Sequence, residues 1–183
     1  MKGNRKGAAF ERDIATRLSL WWSKNKRTDI FWRSSQSGGR ATQRAKSGKS
    51  TYGSYGDIAF VDPVGKPLLD VFTIELKRGR SHGNIADWID LPSTGRLHCP
   101  FRDTLTQAIG SHEQAGSKTW MLLSRRDRRL ELTFIESSWA KELGIYPHCI
   151  GVFRYGVRRI AFLRFSRFLQ YVSPEDVIEL SRR

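Results

Sequence analysis

The chain is poor in cysteine, with two in 183 residues, and it has only four histidines and six prolines. Two thiols cannot build a disulfide framework, and a reducing compartment is the expectation. The pairs His98-Cys99 and His148-Cys149 hold the atoms of a Cys₂His₂ zinc centre. They lack the usual ligand spacing of two to four residues, so no zinc site is assigned. Long apolar runs are also missing, and nothing approaches the ~20 residues needed to span a bilayer. The start, Met1-Lys2-Gly3-Asn4-Arg5-Lys6, is basic, but Glu11, Arg12 and Asp13 follow where a signal peptide would have its apolar stretch. No basic amphipathic helix with a wide apolar face suggests a membrane surface. A cytoplasmic protein without a membrane partner is expected.

Acidic residues are scarce too: 18 against 32 Lys and Arg, for a net charge of +14. Residues 1–56 hold 13 basic residues against Glu11, Asp13 and Asp29, and the remainder holds 19 against 15. The charge is therefore concentrated in the first third. That asymmetry suits a polyanion, since phosphate contacts supply most non-specific nucleic-acid affinity. Hydrophobic content of 39% with six tryptophans fits a packed globule, and 183 residues suffice for one domain over 1–183.

Against this background, Gly56-Asp57-Ile58-Ala59-Phe60-Val61 and Val71-Phe72-Thr73-Ile74-Glu75-Leu76-Lys77 stand out. Both read as buried strands, yet they carry Asp57, Glu75 and Lys77. Charges in a sheet core need a partner or a metal, because desolvating them is costly. Residues two apart in a strand share a face, so Glu75 and Lys77 point one way and Phe72, Ile74 and Leu76 the other. With Asp57 brought to the same edge, two carboxylates and an ammonium make a Mg²⁺ site suited to phosphodiester chemistry. The alternative is a surface hairpin with an ordinary cross-strand ion pair, which would contribute little.

Phe10, Ile14, Leu18 and Trp21 predict a helix from Lys6 to about Trp22, with Glu11 flanking its apolar stripe. Ile30–Arg33 reads as a short strand. Residues 34–56 form a polar Gly/Ser-rich stretch in which Arg40, Arg44, Lys46 and Lys49, with Arg33 just before it, meet no acid. Its length favours a functional loop over a plain connection. Asp62-Pro63-Val64-Gly65-Lys66 reads as a turn joining strands 57–61 and 70–77 into a pair. An irregular segment at 79–100, a helix at 103–115 and strands at 119–124 and 130–135 follow. Segments 150–153, 159–165 and 168–172 read as further strands, before a helix capped by Ser173 with Pro174 at its first position. Trp21, Trp22, Trp32 and Trp120 are expected in the core, with an exposed aromatic near the basic loop as a platform for unpaired bases. Arg125–Arg129 reads as a solvated turn or a DNA-backbone contact. This order points to a mixed α/β domain.

Helix-Glu, Asp, Glu-x-Lys, then helix and strand resembles the PD-(D/E)xK nucleases, and more narrowly the archaeal-type Holliday junction resolvases and their phage relatives. The likeness is carried by Lys6-Gly7-Ala8-Ala9-Phe10-Glu11-Arg12, Arg33-Ser34-Ser35 with Ser37-Gly38-Gly39, Gly56-Asp57-Ile58-Ala59 and Ile74-Glu75-Leu76-Lys77-Arg78. It spans about residues 6–125, leaving 126–183 as a strand-rich extension. Gly56 stands where the family usually has proline. The resemblance implies a restriction-endonuclease-like mixed central sheet flanked by helices, with extra C-terminal strands. It further implies a Mg²⁺-dependent DNA endonuclease, with Mn²⁺ as a substitute, acting as a homodimer on branched DNA in the cytoplasm, or in a host cell's if phage-encoded. Asp57, Glu75 and the Leu76 carbonyl would hold the metal with help from Glu11, and Lys77 would serve the attacking water. Lys6, Arg33, Ser37, Arg40, Arg44, Lys46, Lys49, Arg78 and Gln107 would contact DNA, with Gln114 an alternative to Gln107. A nuclease for linear duplex, flaps or single strands stays open, as do a non-catalytic binding module on this fold and a basic RNA-coating protein.

Overall fold

The computed structural model describes residues 2–34, 55–90 and 98–183, with side chains from Lys6 onward. Ser35, Ser37, Gly38, Gly39, Arg40, Arg44, Lys46 and Lys49 therefore lie outside the described residues, as does most of the basic stretch.

Helix α1 runs over Lys2–Trp22. Its buried stripe is Phe10, Ile14, Ala15 and Leu18, and it ends where Lys24 and Asn25 turn left-handed. Ser19 ties the next strand to it, its Oγ donating to the Ala15 carbonyl and accepting from the Phe31 N–H, both at 2.9 Å. Strand β1 (Phe31–Arg33) pairs antiparallel with β2 (Ile58–Phe60), Trp32 opposite Ala59. The strand pair expected from 57–61 and 70–77 is thus replaced by a different partner for β2. The link between them is not a turn but a 3₁₀ turn (Pro63–Gly65) running into helix α2 (Lys66–Val71), and β3 begins only at Phe72. A Lys66–Asp70 ion pair at 2.7 Å, one helical turn apart, supports this helix.

The main sheet has five strands in the order β3-β4-β5-β7-β6. They are β3 (Phe72–Arg78), β4 (Thr119–Arg125), β5 (Leu132–Glu136), β6 (Gly151–Tyr155) and β7 (Arg158–Arg164). β3 and β4 are parallel and the other pairings antiparallel, so the sheet is mixed. A parallel pair needs a crossover. It contains α3 (Ile85–Ile89), capped by Asn84, and α4 (Pro100–Ala115), which begins three residues before the expected Asp103. Residue 125, near which the likeness read from the sequence ends, falls at the end of β4, and β4 and β5 are hydrogen-bonded neighbours. The C-terminal strands are therefore members of the central sheet.

Alternation sorts the two faces. Ile74, Leu76, Met121, Leu123, Ile135, Ala161 and Leu163 pack with α1 and two C-terminal helices, α6 (Phe165–Tyr171) and α7 (Pro174–Arg182). Trp120, Leu122, Phe134 and Ile160 pack under Phe101, Leu105 and Ala108 of α4. Segment 168–172, read as strand, lies mostly in α6. Phe165, Phe168, Leu169 and Val172 recur at helical spacing and belong to the first face. A short helix α5 (Ser137–Glu142), absent from the sequence reading, covers the end of β5. Helix α7 begins as expected, with Ser173 and Asp176 satisfying each other's backbone N–H groups.

Trp22 and Trp120 are buried and Trp21 packs against the core, but Trp32 is 48% exposed. Its strand has one face on α1 and the other toward solvent. Cys99 packs on the α4 face and Cys149 against the opposite core, so the two His-Cys pairs do not meet. Among the described residues, no helix is long and apolar enough to cross a membrane.

Candidate active site

Glu75 sits in the middle of β3 on the face covered by α4, only 3% exposed. Two donors reach the same oxygen: Lys77 Nζ lies 2.5 Å and Gln107 Nε2 2.7 Å from Glu75 Oε1. The i, i+2 relation brings the lysine, and α4 brings the glutamine. Between the two glutamines left open by the sequence, Gln107 reaches Glu75 while Gln114 is exposed farther along α4.

Asp57 enters from the other side of β3. Its N–H donates to the Ile74 carbonyl at 2.8 Å, and Leu76 N–H donates to its Oδ2 at 2.8 Å. Its own carbonyl accepts from Ser34 N–H at 2.8 Å, so the chain meets itself again at Asp57 after the basic stretch. The approach is made by Gly56. Its φ is +79°, and a Cβ there would stand 2.7 Å from the Ile74 carbonyl oxygen. The departure from the family's proline thus has a backbone reason: a left-handed residue in contact with β3.

Burial pushes the Asp57 carboxyl up to about 7, and the charge of Glu75 pushes it the same way. The Leu76 N–H and the Lys77 ammonium oppose that rise, and Glu11 adds a smaller upward push. Two carboxylates share a low-dielectric pocket that one ammonium does not neutralise. That donor set suits a hard divalent cation, which takes oxygen ligands and is held by one or two carboxylates with waters. Among the described residues, no group of three or more His, Cys, Asp or Glu is gathered to hold a metal. Glu11 Oε2 accepts from Arg33 Nε at 2.9 Å, and its charge acts on Asp57.

Arg33 therefore spends part of its guanidinium on Glu11. Lys6 and Arg78 both approach Asp127 of the β4–β5 turn, at 3.0 and 3.8 Å. His82, not singled out from sequence, lies where burial first and the Lys77 charge second lower its pKa. The backbone carbonyl of Arg78 opposes that shift. Its position five residues past Lys77, at the exit of the strand, was the available signal.

A mixed sheet carrying paired carboxylates and a lysine at one strand is the site plan of a PD-(D/E)xK nuclease. The family described as "Phage putative PDDEXK endonuclease" matches residues 2–154, and the chain belongs to it. No curated protein matches. Among solved structures, the Holliday junction resolvase Hjc of Archaeoglobus fulgidus is similar at 16% identity and a TM-score of 0.37, over 94% of this chain and 98% of that one.

Proposed function

We propose that the protein is a Mg²⁺-dependent DNA endonuclease whose metal is held by Asp57, Glu75 and the Leu76 carbonyl, with Mn²⁺ as a substitute. The observation that supports this best is the pair of carboxylates packed around β3, one of them pushed up toward neutrality by burial and by the other's charge. When bound, the cation lowers the pKa of a water and offsets charge on the phosphate. The protein's own groups do the rest. Gln107 and Lys77 fix the Glu75 carboxylate in one orientation, and Leu76 N–H fixes that of Asp57. Lys77 places an ammonium beside the scissile phosphate, where it stabilises developing negative charge or holds a proton of the attacking water. Glu11 orients Arg33 and adds its negative field to the pair.

The sequence likeness over 6–125 supports branched DNA as substrate and a homodimer as the working form, since a four-way junction needs two symmetric cuts. The basic first third supports binding, and the cytoplasm is the expected place. The test is cleavage of labelled four-way junction, flap, linear duplex and single strand, with Mg²⁺ or EDTA, by wild type and Glu75→Gln. Mutant-sensitive, Mg²⁺-dependent cutting that favours the junction is expected. Equal cutting of all substrates would retain the nuclease and remove the junction preference. Tight binding without cutting would overturn the enzyme.

A further inference from the structure

On the other side of Lys77 from Asp57 lies a cationic element that the nuclease chemistry does not use. Resting on the nuclease reading, we propose that the β4–β5 hairpin is a second contact for the DNA substrate. Arg126, Arg128 and Arg129 would take backbone phosphates of the arm flanking the scissile bond.

Three observations carry this. The first is position. Lys77 and Ser124 are register partners on parallel neighbouring strands, so they share a face and lie one strand spacing apart, about 4.8 Å. Beyond Ser124 opens a cleft whose polar lining is Asn84, Ser124, Arg126 and Arg129, with Leu130 among its apolar walls. A strand bound over Lys77 meets this cleft within a nucleotide or two.

The second is how the hairpin disposes of its acids. Asp127 is turned back to Lys6 at 3.0 Å and Arg78 at 3.8 Å, and Lys6 holds its carboxyl below the usual range. Glu131 is enclosed between Arg17 at 3.4 Å and Arg125 at 2.9 Å. Both carboxylates serve as tethers. Arg126, Arg128 and Arg129 remain exposed, and among the described residues none has a carboxylate partner. A merely solvated turn has no need to separate its charges in this way. The Arg17–Glu131–Arg125 pairs, with the Glu131 side chain only 13% exposed, anchor the base of the hairpin to α1.

The third is backbone. Arg128 has φ 61°, a left-handed conformation that favours glycine or asparagine. An arginine there runs against local preference, and its side chain is exposed with no carboxylate partner among the described residues, so it can reach a ligand.

The test measures binding by the full chain carrying Glu75→Gln, so that the DNA survives. Anisotropy of a labelled four-way junction and a matched duplex is read in Mg²⁺ between about 50 and 200 mM salt. Each lost phosphate contact should make the slope of log affinity against log salt shallower by about 0.9. For Arg126→Ala/Arg129→Ala, a slope shallower by about 1–2 is expected, with roughly tenfold weaker binding at the higher salt. Arg128→Gly should lose affinity while its melting temperature holds or rises, a split that a structural arginine would not give. An unchanged slope in both variants, or parallel loss of stability and affinity in Arg128→Gly, overturns the proposal. Cleavage by protein with Glu75 intact is run alongside. Its absence would overturn the nuclease reading and leave the salt slopes to decide the hairpin.

Discussion

Leu76 donates its backbone N–H to Oδ2 of Asp57 at 2.8 Å, so the strand that carries Glu75 also fixes the carboxylate that repels it. The fold holds two like charges together and supplies the Lys77 ammonium and the Leu76 N–H in partial compensation. The strain of that arrangement is electrostatic, and the proposed divalent cation would relieve it.

Asp57→Asn should therefore separate stability from activity. The amide keeps an oxygen for Leu76 N–H and removes the repulsion with Glu75. Melting without metal above pH 7 should show a gain on the order of 1–3 kcal/mol, because each pH unit of displaced titration corresponds to about 1.4 kcal/mol. Cleavage should fall by roughly 10²–10³ or more, as when a charge-stabilising group is lost from an active site.

The pH dependence has a definite sign. Asp57 titrates near 3.8 when unfolded and about 7 when folded, so the folded state holds its proton more tightly. Below both values the group contributes nothing. As pH rises from about 4 to about 7, the unfolded chain ionises first and stability is lost. Without metal, the melting temperature should fall across that window, and Asp57→Asn should flatten the fall. Added Mg²⁺ competes with the proton, so its stabilising increment should be larger at pH 8 than at pH 5.5. Differential scanning fluorimetry with and without Mg²⁺ measures all three.

Gly56→Ala should damage both fold and site. A Cβ would stand 2.7 Å from the Ile74 carbonyl oxygen at a φ that L-residues rarely adopt. A loss of about 2 kcal/mol or more in urea unfolding is expected, from left-handed strain and the displaced contact together. Cleavage should fall with it even at temperatures where the variant stays folded, since Asp57 follows directly.

Gln107→Leu tests the outer support of Glu75. It removes a donor 2.7 Å from Oε1 and leaves Lys77 in place. Losses of roughly 10–100-fold in activity are typical when such an orienting hydrogen bond is removed. The Mg²⁺ concentration for half-maximal cleavage should rise, while Gln114→Leu, on the exposed end of the same helix, should change neither.

The Asp57, Glu75 and Lys77 triplet was legible because period-two alternation places charge against an apolar background, and no partner is needed to see it. Gln107 could only be narrowed to one of two, since its contact depends on how α4 crosses β3. Residues 62–66 read as a turn and 70–77 as a strand, so the helix over 66–71 falls across the end of one and the start of the other. Proline tolerates the first turn of a helix, and the Lys66–Asp70 spacing was the sign passed over. Segment 168–172 reads as strand when taken alone, and the helical spacing of Phe165, Phe168, Leu169 and Val172 shows only when Phe165 is joined to it. Trp32 was placed in the core by residue type alone. Only the packing of β1 on α1 shows which face of that strand is covered, and Trp32 lies on the other.

The strand order leaves β3 at one end of its sheet, with Asp57 bonded to its outer margin at Ile74 and Leu76. That margin is not open: Phe72–Leu76 are buried, and Asp57 takes the Ile74 carbonyl with its N–H and the Leu76 N–H with its carboxylate. The residue proposed to bind metal thus also closes the backbone at the end of the sheet. Asp57→Leu would leave the Leu76 N–H without that acceptor in a buried place, so the fold itself would weaken, by about 1–3 kcal/mol, for reasons unrelated to catalysis.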